Sequence, residues 1–354
     1  MTATLATLLS ALPALLAELA TLPLASYADA LGQFLRPSTL VGVFVSGLSK
    51  SAIYVMIASG LTLVFGLMGV LNFAHGSLTM IGAYLGGLVM VLAVAGASGT
   101  VQRFAFFFIA VFVVFGALSA LGGAIEVGLV RPLYDRPPIY QILLTFGVTL
   151  VLDELVRIVT LFYGIQPITE WQAALGTKPA PLTATIRLGS STVSGLALFE
   201  ILFGVVTVAA VWAFLTRTRY GLVVRAGSED SEMTEALGID VRRVFTTVFA
   251  LGTGIAGVAG ALLMWDPVWG ASVPLAAETL LPAFVVVIVG GLGTFRGTVV
   301  AAILVGMVDA ITTWWFVNAI EFTGLPEMFI FLILVITLVV RPQGLFGVAE
   351  VGGH

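Results

Sequence analysis

A short polar run interrupts one of the most apolar stretches of the sequence, residues 61–87. Within LTLVFGLMGVLNFAHGSLTMIGAYLGG, Asn72, His75 and Ser77 supply an amide, an imidazole and a hydroxyl. Lipid offers no hydrogen-bond partners, so polar groups at that depth must meet protein, water or a solute. On a helix, the spacing of three places Asn72 and His75 on one face. The pattern predicts a solute path lined by these residues, or a helix break whose polar groups satisfy one another.

A second interruption follows the short apolar run AFVVVIV, where the sequence reads GGLGTFRGT. Gly290, Gly291 and Gly293 permit sharp turns and close backbone approach, so a short or broken helix is predicted here. No Gly-Lys-Ser/Thr follows, so these glycines are not expected to bind a nucleotide phosphate. Two interrupted helices, one in each half of a chain, indicate a transport site near the bilayer midplane. These three glycines are therefore added to the candidate path.

Ionisable residues also fall inside apolar stretches. Asp153, Glu154 and Arg157 lie three and four positions apart, which on a helix favours a structural ion cluster over a proton relay. Four further residues are expected to pair, to lie near an interface or to face a cavity: Lys50, Glu126, Glu200 and Asp309. The two histidines of the chain have no neighbouring ligand cluster, so no metal site is predicted. No nucleophile lies beside a base, and no catalytic residue is predicted.

Composition fixes the class of fold that must hold these residues. The 354 residues are 59% hydrophobic and 10% charged, with a mean hydropathy of +1.13. We predict an all-α polytopic membrane protein with about 8–9 transmembrane helices, two of them broken or short near the midplane. The absence of cysteine excludes disulfides, and the net charge of −4 argues against a nucleic-acid partner. The predicted spans are 39–66, 69–96, 104–130, 138–163, 197–215, 243–265, 279–295, 297–318 and 325–341.

The distribution of charge divides the chain and orients it. Residues 1–38 form an N-terminal extension, either an extra span or an interfacial helix, with 25–38 polar enough to be a linker. The transmembrane domain covers 39–347, and 348–354 form a tail. The arginine-rich loop 216–242 is expected in the cytoplasm, which places loop 164–196 outside the cell membrane and the C-terminus inside. An inner-membrane location fits the lack of cysteine.

A short amphipathic helix is predicted within loop 216–242. An N-cap starts the helix, carboxylates follow in its first turn, an apolar face comes next, and a glycine ends it. Such a helix is too short to be stable alone in water, so it needs a partner surface. The residues concerned, in order, are Ser228, Glu229, Glu232, Met233, Ala236, Leu237 and Gly238. Either this is an ordinary loop helix, or it is a coupling helix that docks into a cytoplasmic partner.

Several separated stretches resemble one known family, the branched-chain amino acid ABC transporter permeases. These are GLTLVFGLMGVLNFAHGSLTMIGAY, VRPLYDRPPIYQILLTFG, RAGSEDSEMTEALGIDVRRV, VVVIVGGLGTFRGTVVAAILVG and LVVRPQGLFG. They occur in the expected order and cover roughly residues 40–347. The resemblance implies the membrane subunit of an ATP-driven importer that works by alternating access.

The resemblance also implies partners. Such permeases pair with a second related permease or a second copy, with two ATP-binding subunits that carry ATP and Mg, and with an extracytoplasmic solute-binding protein. The chain has no ATP-binding motif and no cofactor of its own is expected. Branched-chain amino acids are the implied substrates, with urea, short amides and aromatic acids as alternatives within the family.

Two rival functions stay open on the residues alone. A stand-alone secondary transporter would use Asp153, Glu154 or Asp309 as proton or cation sites. A passive channel would bring the two helix breaks together as a filter. Neither function needs the short acidic helix in loop 216–242, which therefore favours the ATP-driven importer.

Overall fold

The structure is a computed structural model that describes residues 13, 24–69, 71–94, 99–167, 171, 182, 184–189, 191–229, 231–266, 269–319 and 326–347. The predicted extra span or interfacial helix before residue 24 lies almost entirely outside the described residues. The predicted tail 348–354 lies outside them as well. Every structural statement below concerns the described part of the chain.

Helices form most of this part of the chain, and most of them are apolar. Their bounds are α1 Leu24–Phe34, α2 Pro37–Met68, α3 Ala74–Val94, α4 Thr100–Ile125, α5 Pro138–Tyr163, α6 Gly195–Arg217, α7 Arg219–Glu229, α8 Ser231–Ala236, α9 Val241–Leu263, α10 Leu275–Gly290, α11 Phe295–Asn318 and α12 Pro326–Val340. Six of them (α2, α3, α4, α6, α9 and α11) are long and apolar enough to cross a bilayer, and α10 and α12 are shorter apolar helices. The predicted all-α polytopic membrane fold is confirmed.

Two small elements interrupt this helical pattern. A π-helical turn, Glu126–Val130, and a 3-10 turn, Arg131–Leu133, extend α4. Strands β1, Thr185–Leu188, and β2, Ser191–Ser194, form an antiparallel hairpin in which Ile186 pairs with Val193. The hairpin lies in the predicted loop 164–196 and was not predicted from the sequence. It marks one end of the bundle, called the hairpin end below, and α7 and α8 mark the opposite end.

The expectation of a linker over 25–38 is wrong, because α1 occupies most of it. The sequence LASYADALGQF contains no proline and repeats apolar residues at helical spacing, so it favours a helix over a linker. Phe34 then packs on Trp314 and Trp315, with ring centroids 5.0 and 5.5 Å apart. The two tryptophans therefore hold α1 against α11.

Glycine contacts bring the central helices close together. A Cβ atom added to Gly60 of α2 would lie 2.4 Å from the carbonyl oxygen of Gly252 in α9. One added to Gly82 of α3 would lie 2.3 Å from the carbonyl oxygen of Gly257, also in α9. Close backbone approach of this kind supplies the dispersion contacts that hold helices together where lipid gives no hydrophobic drive. Helix α9 is accordingly the most buried span, with 72% of its apolar window inside the protein.

The predicted break at the polar run 72–77 is a return of the chain between two helices. Helix α2 ends at Met68, and Gly69 has φ 68°, the left-handed conformation typical of a helix C-cap. Helix α3 begins at Ala74, yet the His75 ring nitrogen Nε2 lies 3.0 Å from the Ile57 carbonyl oxygen. Ile57 precedes the end of α2 by three helical turns, or about 16 Å. Helix α3 therefore begins beside the middle of α2, deep in the bundle.

Helix α10 is the second interrupted element, and it is short as predicted. Its 16 residues reach about 24 Å, less than the roughly 30 Å of hydrocarbon in a bilayer. Gly291 and Gly293, with φ of 102° and 77°, turn the chain into α11. The backbone N–H of Phe346 donates to the carbonyl of Gly290 at 3.0 Å, so the segment after α12 closes over this turn.

Candidate functional site

Asn72, His75 and Ser77 all lie at the buried junction between α2 and α3. Asn72 precedes α3, so the expectation that it shares a helical face with His75 is wrong. Its Oδ1 atom accepts from the backbone N–H of Ala74 at 3.0 Å and caps the helix. The hydroxyl of Ser77 donates to Oδ1 of Asp153 in α5 at 2.6 Å. The polar run thus fixes the start of α3 against two neighbouring helices.

The positive end of α3 is already occupied by acceptors of the protein. The N–H of Phe73 donates to Oγ1 of Thr145 at 3.3 Å, and that of His75 donates to the Asn72 carbonyl at 3.3 Å. A solute carboxylate therefore finds the Phe73, Ala74 and His75 amides taken. Two side-chain atoms, Nδ2 of Asn72 and Nδ1 of His75, have no hydrogen-bond partner among the described residues. They form a donor and an acceptor that a water molecule or a solute group can still satisfy.

The structure pairs only two of the three charges predicted as an ion cluster. Glu154 and Arg157 approach to 3.7 Å on the exposed side of α5, with side chains 58% and 57% exposed. Asp153 turns instead toward Ser77 in α3. The prediction of a three-residue ion cluster is therefore wrong. Asp153 faces the bundle and Glu154 faces away from it, although the two residues are adjacent on the helix.

A second polar cluster lies in the hairpin half of α2. The ammonium of Lys50 lies 2.8 Å from Oδ1 of Asp309 and 3.2 Å from Oγ1 of Thr313, both in α11. The Tyr54 hydroxyl donates to the other oxygen, Oδ2 of Asp309, at 2.8 Å. The predicted pairing of Lys50 with another charge is confirmed. Asp309 is nearly buried while the Lys50 side chain keeps 26% of its surface exposed.

That exposed part of Lys50 faces a cavity, called the hairpin cavity. It has a volume of about 360 Å³ and lies between α2, α6, β2 and the loop after α9. A neighbouring cavity of about 470 Å³ lies between α2, β2 and α11, and both cavities are lined by Gly42, Ser46 and Thr192. Glu200, expected near an interface, lines the hairpin cavity and accepts from the hydroxyl of Ser49.

Two more cavities continue along α2 toward the α7–α8 end. One, of about 620 Å³, is lined almost wholly by apolar side chains of α2, α6 and α11. The other, of about 390 Å³, is lined by Arg225, Gly293 and Arg296, and it shares Trp212 and Arg296 with the apolar one. Since α6 and α11 both pack on α2, the four cavities together follow α2 from one end of the bundle to the other.

The predicted path residues divide between these places. Gly293 lines the cavity at the α7–α8 end. Gly290 and Gly291 pack against other backbone: a Cβ atom at Gly290 would lie 2.5 Å from Gly297, and one at Gly291 would lie 2.5 Å from Gly347. Asn72, His75 and Ser77 line none of the four cavities along α2. Sequence reasoning allowed Lys50 to face a cavity but did not predict which residues line that cavity with it; the α-helical spacing of Gly42, Ser46 and Lys50 was a signal of a shared face on α2.

The predicted coupling segment is two helices instead of one. Ser228 was predicted as the N-cap and Glu229 as first-turn, yet both lie in α7, which ends at Glu229; Glu232 lies in α8. The register of a helix continuing from Arg219 overrides a local capping signal. Gly238 has φ 81° and ends α8 as predicted. The apolar face predicted from the spacing is exposed, with Met233 at 59% and Leu237 at 74% exposure and Ala236 beside them.

One buried acid joins the α7–α8 end to the bundle. Glu126 is fully buried in the π-helical turn and pairs with Arg131 at 3.0 Å. The Tyr134 hydroxyl also donates to Glu126, and Arg131 reaches Oγ1 of Thr246 in α9. Burial, and then the bond to Glu126, raises the pKa of the Tyr134 hydroxyl. This cluster fixes the link after α4 to the start of α9.

Among the described residues, no three metal-binding side chains come together. The remaining features are a multi-pass helical bundle, a row of cavities along one central helix and a short helix with exposed apolar side chains at one end. They define a class, that of membrane permeases.

Comparison with known proteins places the chain within that class. Residues 43–340 match the family described as branched-chain amino acid transport system / permease component, and the chain belongs to this family. The permease protein BraD of Pseudomonas aeruginosa, from a high-affinity branched-chain amino acid transport system, is 28% identical over 87% of this chain and 95% of its own length. The corresponding LivH protein of Escherichia coli is 27% identical over 86% and 95%. A probable LivH protein of Methanocaldococcus jannaschii is 25% identical over 84% and 90%.

Proposed function

We propose that this chain is the permease subunit of an ATP-driven importer of branched-chain amino acids. The BraD and LivH relatives named above are permease proteins of high-affinity branched-chain amino acid transport systems, and they match this chain over nearly their whole length. The observation that carries the proposal within this chain is the exposed apolar face of α8. Met233 and Leu237 lie outside the apolar helices, where no lipid covers them, and they suit a groove on a soluble partner.

The partner of that face is an ATP-binding subunit. The segment 228–238 lies between the two spans α6 and α9, so movement imposed on α8 reaches both spans directly. Arg131 and Glu126 add a second connection to the start of α9. Two such ATP-binding subunits, a second permease and an extracytoplasmic binding protein complete the transporter.

The orientation follows from charge. Arginines concentrate around α7 and α8, and this supports a cytoplasmic position for that end and for the C-terminus, with the hairpin end outside. Single cysteines test this directly because the chain has none of its own. Leu188→Cys in β1 should react with a membrane-impermeant maleimide in spheroplasts, and Leu237→Cys only after permeabilisation. The reverse pattern would overturn the orientation.

Reconstituted transport tests the function itself. The chain is purified with its partner subunits, placed in proteoliposomes with the binding protein, and supplied with ATP inside and labelled leucine outside. ATP-dependent leucine uptake is expected, and competition by valine and isoleucine but not by urea, acetamide or benzoate would select among the substrates of the family. Uptake that needs neither ATP nor partners would point to a secondary transporter or a channel.

The docking surface has a matched test. Leu237→Asp puts a charge on the exposed face of α8, so it should release the ATP-binding subunit and abolish coupled uptake while the chain still inserts. Leu188→Asp makes the same change on an exposed residue at the hairpin end and should leave the ATP-binding subunit bound. Normal coupling in Leu237→Asp would remove the docking assignment without touching the family assignment.

A further inference from the structure

The hairpin cavity combines opposite charges with apolar walls. Lys50 faces it from α2, and Glu200 and Asp266 face it from α6 and from the loop after α9. Its volume of about 360 Å³ lies within the roughly 300–1,000 Å³ usual for small-molecule sites. Val45 and Ile53 supply apolar wall on the same face of α2. One cavity therefore presents a cation, carboxylates and aliphatic surface together.

The geometry of Lys50 leaves a donor for a ligand. An ammonium group carries three N–H donors, and within the described chain Asp309 and Thr313 accept two of them. The two acceptors lie in α11 and neither lines the hairpin cavity, whereas Lys50 and Glu200 do. The remaining N–H and the exposed part of the side chain are thus available on the cavity side.

Asp309 is itself held in place, so it can fix Lys50 without competing for a ligand. Its second oxygen accepts from Tyr54 at 2.8 Å, and its first accepts from Thr313 at 3.1 Å. An ion held by three neighbours at one side keeps a single geometry at low conformational cost. The cluster therefore presents the Lys50 charge in a preorganised position.

We propose that the hairpin cavity is a binding site of the permease for the zwitterionic head of an α-amino acid, with Lys50 receiving the carboxylate and Glu200 and Asp266 receiving the ammonium. This inference rests on the proposed function and deepens it. Urea carries no charge and an aromatic acid carries only a negative one, so neither uses both halves of this site. Val45 and Ile53 take the aliphatic side chain.

Gly42 offers a way to fill the cavity without disturbing the helix. It lines both the hairpin cavity and its neighbour, and an added Cβ atom meets no heavy atom within 4 Å among the described residues. Gly42→Leu occupies the space, and leucine is a better helix former than glycine. Gly147→Leu is the matched control: that position in α5 is equally open but lines none of the cavities along α2.

The experiment measures transport and binding in the complete transporter. Binding of labelled leucine to the detergent-solubilised complex, without the solute-binding protein, is compared with ATP-driven uptake in proteoliposomes. Gly42→Leu is expected to abolish both while leaving assembly intact, and Gly147→Leu to change neither. If wild-type uptake proceeds and Gly42→Leu matches it, the cavity assignment is overturned and the proposed function stands. If no subunit combination takes up leucine with ATP, the proposed function fails instead.

The charges are tested separately. Lys50→Met alone leaves Asp309 buried without its ion partner and risks misfolding, so it is combined with Asp309→Asn, which removes both charges together. The loss of one charge-assisted hydrogen bond to the carboxylate should weaken leucine binding roughly tenfold to hundredfold. Leucinol, which lacks the carboxylate, should bind the wild type less tightly than leucine does. Its affinity should be the same for the wild type and the double variant. Unchanged leucine binding in the double variant would remove Lys50 from the site.

Discussion

Two polar regions of this bundle both lie among apolar helices but have opposite consequences. At the α2–α3 junction, Asn72, His75 and Ser77 face inward and most of their polar atoms bond to neighbouring protein. In the hairpin half of α2, Lys50 is equally well held on one side, yet its other side faces a cavity. The first region is closed and the second is open.

The difference comes from what stands opposite each polar group. The junction is surrounded by helices at backbone distance: a Cβ atom at Gly76 would lie 2.1 Å from the Ala276 carbonyl oxygen in α10. The hairpin cavity is bounded partly by a two-stranded hairpin and a loop, which do not fill space as a helix does. A polar residue in a membrane span thus indicates a cost that must be offset, but only the packing around it tells whether protein or solute offsets that cost.

The largest expected effect uses one substitution in both regions. Gly76→Leu drives a side chain into the backbone of α10 and should prevent recovery of folded protein, since overpacking of this severity exceeds the usual ~1–3 kcal/mol. Gly42→Leu enters open space and should leave the thermal unfolding temperature of the solubilised complex unchanged. Size-exclusion profiles and thermal unfolding in detergent measure both. Folded Gly76→Leu protein with normal stability would show that the junction is not closed.

The cap at the junction gives a smaller effect. Asn72→Ala removes the acceptor for the Ala74 N–H at a buried helix start, which should destabilise the protein by about 1–2 kcal/mol. Uptake by the protein that remains folded should stay near normal, because the residue holds α3 and faces no cavity along α2. Asn72→Ser, which keeps an N-capping oxygen, is the control and should recover most of the stability.

The contrary outcome for Asn72 is equally informative. Lost uptake with unchanged stability would mean that Nδ2 of Asn72 and Nδ1 of His75, the two atoms without partners among the described residues, contact the solute. The sequence-based assignment of Asn72, His75 and Ser77 to the path would then stand beside the hairpin cavity.

Hydropathy predicted the spans well because a helix that crosses a bilayer must consist mostly of apolar residues. Each of the nine predicted spans coincides with one helix between Pro37 and Val340. The helix stop at Gly238 was also predictable, since only glycine adopts its φ of 81° readily. The register of α7 past Ser228 was not, because a local cap signal competes with a helix that begins nine residues earlier.

The cavities could not be predicted from the sequence, for a different reason. Their position depends on which helices flank α2, and long-range contacts such as Lys50 with Asp309 leave no mark in local spacing. The return of the chain between Met68 and Ala74 also depends on a long-range contact. The glycine and polar residues there predicted a break, but only the contact of His75 with Ile57 shows that α3 starts beside the middle of α2.

The smallest expected effects come from breaking two polar contacts of α5, one made by Asp153 and the other by Arg157, which lie one helical turn apart. Ser77→Ala removes the buried donor to Asp153, made at 2.6 Å, and should cost about 1–3 kcal/mol because a carboxylate facing the bundle loses its partner. Arg157→Ala breaks the 3.7 Å pair with Glu154, whose side chain is 58% exposed, and should cost ~0.5 kcal/mol or less because such pairs are weak. Thermal unfolding of both variants in the same detergent compares the two losses of stability. Equal losses would mean that Asp153 does not face a closed interior, and the contrast between the closed junction and the open cavity would then need another explanation.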